Sequence, residues 1–353
     1  MKKSLITFAV LSAFTSVASA QSSVTLYGII DVGTQYTTNQ NATGGKKFSM
    51  DSSTSFPSRW GIRGSETIDG SLKANFQLES TLSIDNGTTG SLFDRNATVG
   101  LSGSYGSVDL GRQHNLAFNS LVTVDPAGAA FAATNPNFAF GAMNSVGLYS
   151  AHGASNGATS ALRQNNAVKF TASPVLGGLT FTGMYGFGEK AGDASASSYT
   201  GGMASFSEGG LSAVFSYAQL KDAANTSTLR SYTGGAKLTV DALTFKITYA
   251  ENEVNTTQRN LSVFGAGVDY ALSPATTLTA AYYANRRSGD IKAKADQFIG
   301  MAKYAFSKRT TVYTALSYAK AGTKAAADTD LGLFIAAGNR TATRMTVGIR
   351  HSF

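Results

Sequence analysis

Cysteine is absent from the 353 residues, proline occurs 5 times and tryptophan once. Without cysteine, no disulfide or thiolate-held metal can organise the chain. Charged residues make up 14% of the sequence, against the ~25% usual in soluble proteins. Past the N-terminus, no stretch approaches the ~20 apolar residues of a membrane-spanning helix. There is no clustered basic helix either, so the net charge of +8 does not point to nucleic acid. The three histidines, His114, His152 and His351, lack both metal-ligand spacing and a Ser-His-Asp arrangement, which argues against an enzyme, a metal or any other cofactor.

Glycine is plentiful at 38, as are tyrosine at 15 and phenylalanine at 21. The first residues form an export signal. Lys2 and Lys3 open it, an apolar stretch runs from Leu5 to about Val17, and Ala18-Ser19-Ala20 offers a cleavage site before Gln21. Residues 1–20 are thus expected to be removed, leaving 21–353 as one domain.

That domain is dominated by period two. Leu72, Ala74, Phe76 and Leu78 alternate with Lys73, Asn75, Gln77 and Glu79. Leu243, Phe245, Ile247 and Tyr249 alternate with Thr244, Lys246 and Thr248. Successive side chains of a strand point to opposite faces, so each segment has one apolar and one polar face. About sixteen such segments occur, near 23–36, 57–68, 71–84, 93–103, 106–113, 164–173, 178–188, 199–207, 211–220, 230–240, 242–252, 260–272, 275–287, 294–306, 310–321 and 343–353. Tight turns and longer polar loops join them alternately. The pattern predicts an all-β fold: a closed antiparallel transmembrane barrel, apolar outside and polar inside. Closure is required because an open sheet edge in hydrocarbon leaves backbone groups unpaired.

The third loop, 114–163, is out of scale. It is poor in charge, chiefly His114, Asp125 and His152, yet carries Phe118, Leu121, Val122, Phe131, Phe138 and Phe140. A solvated loop would be more polar, so this one is expected to fold into the lumen and narrow it. An exposed ligand-binding loop is the alternative.

Strand parity assigns the wall charges. Trp60 and Ile62 face lipid, so Arg59 and Arg63 face inward. The same rule places Lys73, Lys169, Lys237, Lys246, Lys303, Arg344 and Arg350 inside, with the acids Asp31, Glu79, Asp109 and Asp269. Nine basic positions against four acidic ones predict a pore that concentrates anions. Arg95 shares the parity of lipid-facing Ala97, Val99 and Leu101, so a bulge before Asn96 is expected to turn it inward. The last strand carries Met345, Val347, Ile349, His351 and Phe353 on one face. Its terminal Phe353 resembles the signature read by the outer-membrane barrel assembly machinery.

Several motifs resemble the Gram-negative general porins, in particular the trimeric, often anion-selective type. They are Gln21-Ser-Ser-Val-Thr-Leu-Tyr-Gly28 with Asp31, Ser58-Arg-Trp-Gly-Ile-Arg-Gly-Ser-Glu66, and Leu72-Lys-Ala74 with Gln77-Leu-Glu79. Further along come Arg95-Asn-Ala-Thr-Val-Gly-Leu101, Tyr105-Gly106, Gly111-Arg-Gln113, Arg163-Gln-Asn-Asn166 and Gly348-Ile-Arg-His-Ser-Phe353. The resemblance implies a sixteen-stranded homotrimer in the bacterial outer membrane, in contact with its lipid and lipopolysaccharide. It also implies a third loop in each pore and an eyelet where arginines face acids. By motif, Arg59, Arg95 and Arg163 match the basic cluster, with Arg112 a further candidate that parity does not place inside. Glu79 and Asp125 would stand opposite. Small anionic or neutral solutes are the expected cargo. A specific channel for phosphate or an organic acid, an outer-membrane enzyme and an adhesin are the competing readings.

Overall fold

The computed structural model describes residues 23–128, 138–153, 157, 160–175, 177–257 and 259–353. The expected export signal lies outside these residues, as does Phe131. The side chains of Phe138 and Phe140 are likewise not described.

Eighteen strands form one antiparallel sheet. They are β1 Ser23–Thr37, β2 Lys47–Ser52, β3 Arg59–Asp69, β4 Leu72–Ser83, β5 Thr88–Thr89 and β6 Asn96–Gly103. Then come β7 Gly106–His114, β8 Arg163–Ala172, β9 Leu179–Gly186, β10 Tyr199–Glu208, β11 Leu211–Lys221 and β12 Thr228–Val240. The last six are β13 Leu243–Val254, β14 Asn260–Ala271, β15 Thr276–Ser288, β16 Ala293–Ala305, β17 Thr310–Ala321 and β18 Thr341–Ser352. These make sixteen staves, because two strands continue others. β2 and β3 pair with the upper and lower halves of β1. β5 pairs with the end of β4, beyond the stretch that pairs with β6. The sequence pattern misses both short strands because each lies in a polar loop.

β1 and β18 close the barrel, in register from Ile29↔Ser352 to Thr37↔Arg344. Phe353 completes the seam: its amide donates to the Gly28 carbonyl, and its own carbonyl accepts from the Gly28 amide, both at 3.1 Å. Its ring covers Gly28 so closely that a Cβ there would stand 2.3 Å from the ring. Only glycine fits beneath it.

The two faces differ as period two requires. On β13, Phe245, Ile247 and Tyr249 are each nearly half exposed, whereas Thr248 and Ala250 are buried. On β17, Leu316 and Tyr318 are exposed between buried Ala315, Ser317 and Ala319. A wall with apolar residues outside and Ser, Thr, Asn and Gln inside suits lipid on one side and water on the other. No helix among the described residues is long and apolar enough to cross a membrane; the strands cross it. Strands meet alternately at short turns and at long loops. The 209–210 turn needs glycine, with φ +58° at Gly209 and +84° at Gly210, a mirror-image hairpin turn. By the usual asymmetry of such barrels the long-loop end is external.

The third loop holds three helices, α1 Leu116–Leu121, α2 Phe138–Ser145 and α3 Leu148–Gly153. Asn115 caps α1, its side chain accepting from the Phe118 amide at 3.0 Å. The loop's contacts fall on residues of inward parity. Ser120 Oγ lies 2.6 Å from Thr233 Oγ1 on β12. Pro126 rides over Gly265 and Gly267 of β14, where an added Cβ would approach it to 3.0 and 2.9 Å. The Ala127 amide donates to the Tyr283 hydroxyl on β15 at 3.0 Å, and Tyr149 of α3 donates to Ser231 at 3.1 Å. A fourth helix, α4 Ala326–Leu331 in the eighth loop, is tied to the same side by Asn285 donating to the Leu331 carbonyl at 2.9 Å. Leu116, Leu121, Met143, Leu148 and Leu331 meet wall residues Leu229, Leu261 and Tyr283 in one buried cluster. The hydrophobic core therefore sits inside the barrel, on the β10–β17 side.

Candidate functional site

The opposite side of the interior, from β3 to β8, carries the arginines. Arg59 opens β3 and Glu79 lies on β4. The register Gly61↔Glu79 and Arg59↔Thr81 places them two residues apart on adjacent strands, both with inward parity. Arg59 Nε stands 3.2 Å from Glu79 Oε2, and Arg95 Nε stands 2.7 Å from Oε1. Tyr27 donates its hydroxyl to the same carboxylate at 3.0 Å and accepts from Gln77 Nε2 at 2.6 Å. Glu79 thus joins the cluster as its internal counter-ion. It does not stand across the pore, because strand neighbourhood fixes it beside Arg59.

Arg95 reaches Glu79 through an irregularity of the kind expected just before Asn96. β4 and β6 pair in unbroken register through Glu79↔Asn96. The Arg95 amide donates to that same Glu79 carbonyl at 3.1 Å, so two successive residues face one, as in a bulge. With Phe93 at φ +56°, Arg95 is released from the parity of Ala97 and Val99. A register shift in this region falls between Gly111 and Gln113 on β7, opposite β8, so Arg112 has no partner on β8 while it stays paired with Ala97 of β6.

Arg112 and Arg163 are held by carbonyls. Arg163 Nε donates to the Arg95 carbonyl at 2.8 Å. Arg112 Nε donates to the preceding carbonyl, that of Asp94, at 2.6 Å, and its Nη1 donates to Asn165. Two successive peptide oxygens therefore fix two guanidinium groups whose positive charge they do not cancel. Phe56 adds a cationic pairing of another kind, with Arg59 and Arg350 lying 5.2 and 5.5 Å from its ring centre. Arg63 lies 5.1 Å from the Tyr27 ring. Strand parity could have found Tyr27, which shares a face with Asp31. Asn165 lies within the Arg163–Asn166 motif, but nothing in the sequence gives it this role, and nothing marks Phe56.

Asp125 stands on the other side of the lumen, accepting from the Tyr283 hydroxyl at 2.9 Å. Nearby on that wall, Lys246 pairs with Asp269 at 2.6 Å and its Nζ lies 3.5 Å from the Pro126 carbonyl. Lys237 is in register with Lys246, and Lys303 with Tyr313. Lys169 is in register with Asp109 and Lys73 with Ser102 near the short-turn end. Asp31 is buried, accepting from Tyr313 at 2.9 Å and from the Ser55 amide at 2.9 Å. Arg344 is in register with Thr37 on the external half of β1.

The histidines are separated. His114 stacks on Phe118 at 3.9 Å. His152 lies between the Leu148 carbonyl and Ser227, and His351 meets Thr310 at the short-turn end. Among the described residues no group of His, Asp and Glu could hold a metal ion.

The sequence profile of the Gram-negative porins matches residues 7–324. An outer membrane porin protein of Bordetella pertussis is 41% identical over 162 residues, covering 41% of this chain and 42% of the relative. Outer membrane porin protein 32 of Delftia acidovorans is 38% identical over 227 residues, covering 63% of this chain and 61% of the relative. Each alignment spans less than two thirds of the relative's length. In fold the likeness extends along nearly the whole chain. The anion-selective porin from Comamonas acidovorans superposes with a TM-score of 0.79 at 26% identity, covering 94% of this chain and all of the other. Profile, strand pairing and two-faced wall agree: the chain belongs to the Gram-negative porin family and is an outer-membrane β-barrel.

Proposed function

We propose that the protein is a passive, water-filled channel for small hydrophilic solutes, and that its constriction favours anions. One observation carries the second part. Arg59 and Arg95 share the single carboxylate of Glu79, while Arg163 and Arg112 rest on neutral carbonyls. The cluster so formed keeps a net positive charge, in a site whose low-dielectric walls focus the field. The third loop, pinned to the far wall at Tyr283, brings Asp125 and its backbone opposite the arginines. Lys73, Lys169, Lys237, Lys246, Lys303 and Arg344 extend the basic lining, and Arg63 flanks the cluster on the short-turn side.

The anion-selective character of the Comamonas protein supports this reading. A channel dedicated to phosphate or an organic acid is the second reading, favoured by the planar donor forks of the arginines. Channel and selectivity are tested together by conductance in planar bilayers. Stepwise insertion with anion preference is expected. A barrel that inserts and passes no current contradicts the proposal.

We assign a homotrimer on the distribution of exposed residues. Lipid-facing barrels carry aromatic belts at both interfaces. The belts are present from β9 to β17, with Phe181, Tyr185, Phe215, Tyr249, Tyr270, Phe298, Tyr304 and Tyr318 exposed. Around the seam, among the described residues, exposed aromatics stand only near the strand ends, at Phe48, Tyr105 and Phe353, and Leu26, Val99, Leu101, Val347 and Ile349 are exposed and aliphatic. That sector suits contact with a second subunit, and the rest suits lipid and lipopolysaccharide. Phe353 is proposed as the contact read by the barrel assembly machinery. Chemical cross-linking that yields only monomers would contradict the trimer.

A further inference from the structure

A second polar site lies on the external side of the arginine cluster. Arg344, Thr37 and Lys47 occupy one row across β18, β1 and β2, through the pairs Thr37↔Arg344 and Thr37↔Lys47. Adjacent strands are ~4.8 Å apart and same-face neighbours along a strand ~7 Å apart. Inward-facing Gln35 and Asp51 therefore fall within the same small area, with Gly33↔Asp51 in register. All five residues line a cavity of about 300 Å³. Thr37 lies eight residues beyond Ile29, the partner of Arg59. At ~3.3 Å per residue this is ~26 Å toward the external end, so a solute entering from outside meets this recess first.

The recess is built around fixed charges of both signs. Arg344 donates from Nε to Thr37 Oγ1 at 3.3 Å and lies 4.6 Å above the Phe334 ring. Its Nε and one planar face are thereby taken, and the terminal nitrogens are what it offers to the recess. Asp51 accepts from the Ser49 hydroxyl at 2.6 Å through Oδ2, leaving Oδ1 as an acceptor. The Lys47 side chain is exposed at the mouth. Two cations and one carboxylate around a cavity of this size complement a small solute with two carboxylates and one ammonium.

We infer that this recess is a binding site for acidic amino acids. Arg344 and Lys47 take the two carboxylates, and Asp51 takes the ammonium. Gln35 and Thr37 supply the neutral donors and acceptors between them. The inference rests on the reading of the chain as a solute channel only in that it says which solutes gather at the mouth. A bound acidic amino acid keeps one net negative charge, so the arginine cluster beyond attracts it onward.

The test compares aspartate with succinate, which has the carboxylates and lacks the ammonium. Saturation-transfer NMR titration of the whole folded protein in detergent gives both affinities and needs no flux. Aspartate is expected to bind more tightly than succinate by about tenfold, the worth of one charge-assisted hydrogen bond. Asp51→Asn should abolish this preference while succinate binding is kept or strengthened. Arg344→Gln should weaken both. Folding of each variant is checked by its heat-dependent mobility in gels. Equal affinities in the unmodified protein overturn the site, and so does an Asp51→Asn variant that keeps the preference. Loss of bilayer conductance would instead strike the channel reading, because the titration does not depend on it.

Discussion

Tyr283 donates its hydroxyl to Asp125 at 2.9 Å and, through the same oxygen, accepts the Ala127 amide at 3.0 Å. One buried phenol on β15 thus ties the third loop to the wall facing the arginines. Gly265 and Gly267 allow the approach by leaving no side chain under Pro126. Tyr283→Phe removes both bonds without changing the ring's packing and takes one hydrogen-bond donor from the buried Asp125 carboxylate and the acceptor from the Ala127 amide. Such loss costs roughly 1–3 kcal/mol per group. We expect a loosened loop, read as increased open-channel current noise while the barrel itself stays folded.

Glu79→Gln removes the one carboxylate shared by Arg59 and Arg95 while preserving shape. The constriction gains one positive charge, so the ratio of chloride to potassium permeability should rise. Removing one partner of a buried ion pair is also expensive, about 3–5 kcal/mol, so the variant should unfold at lower temperature. Both effects are read on the same purified sample, by reversal potential and by gel mobility after graded heating.

Gly28→Leu should prevent closure at the β1–β18 seam. The added side chain would collide with the Phe353 ring and with the Arg59 carbonyl, which a Cβ would already approach to 2.8 Å. A large fall in the folded, heat-modifiable fraction is expected. In detergent refolding, where no assembly machinery acts, Phe353→Ala combined with Gly28→Leu should recover part of it, which distinguishes a steric clash with the ring from a general dislike of leucine at this position.

The external loops carry a pH-sensitive tie. Hydrogen bonds from the Ser195 amide and hydroxyl, helped by the Ala196 amide and Asn225, hold the Asp193 carboxyl below its usual range. A depressed carboxyl contributes order that is fully present above its unfolded pKa and is lost as pH falls through the folded one. Amide exchange at 195–198, corrected for intrinsic rate, should therefore show protection at neutral pH that fades in acid. Asp193→Asn should make the protection independent of pH.

The barrel was legible because lipid on one face and water on the other impose strict alternation. The runs at 72–80 and 243–249 show it directly, and strand limits agree within a few residues along most of the chain. What escaped was whatever breaks alternation. Arg95 sits at the irregularity before Asn96, and Arg112 keeps its pairing with Ala97 but falls in a register shift opposite β8; alternation alone does not place either side chain. The resemblance puts Glu79 opposite the arginines, whereas the β3–β4 register, which turn geometry fixes and a hydropathy pattern does not, puts it beside Arg59. The helices of the third loop are only six to eight residues long and are held by wall contacts. Local pattern alone cannot announce helices so short.

The most direct test of the anion-selective constriction is the reversal potential of single channels in a salt gradient, with Arg59→Glu and Arg163→Glu combined. The unmodified pore should prefer anions, and the double variant should move clearly toward cations. A cation preference in the unmodified pore, or a reversal potential that the double variant leaves unchanged, would contradict the role given to this cluster.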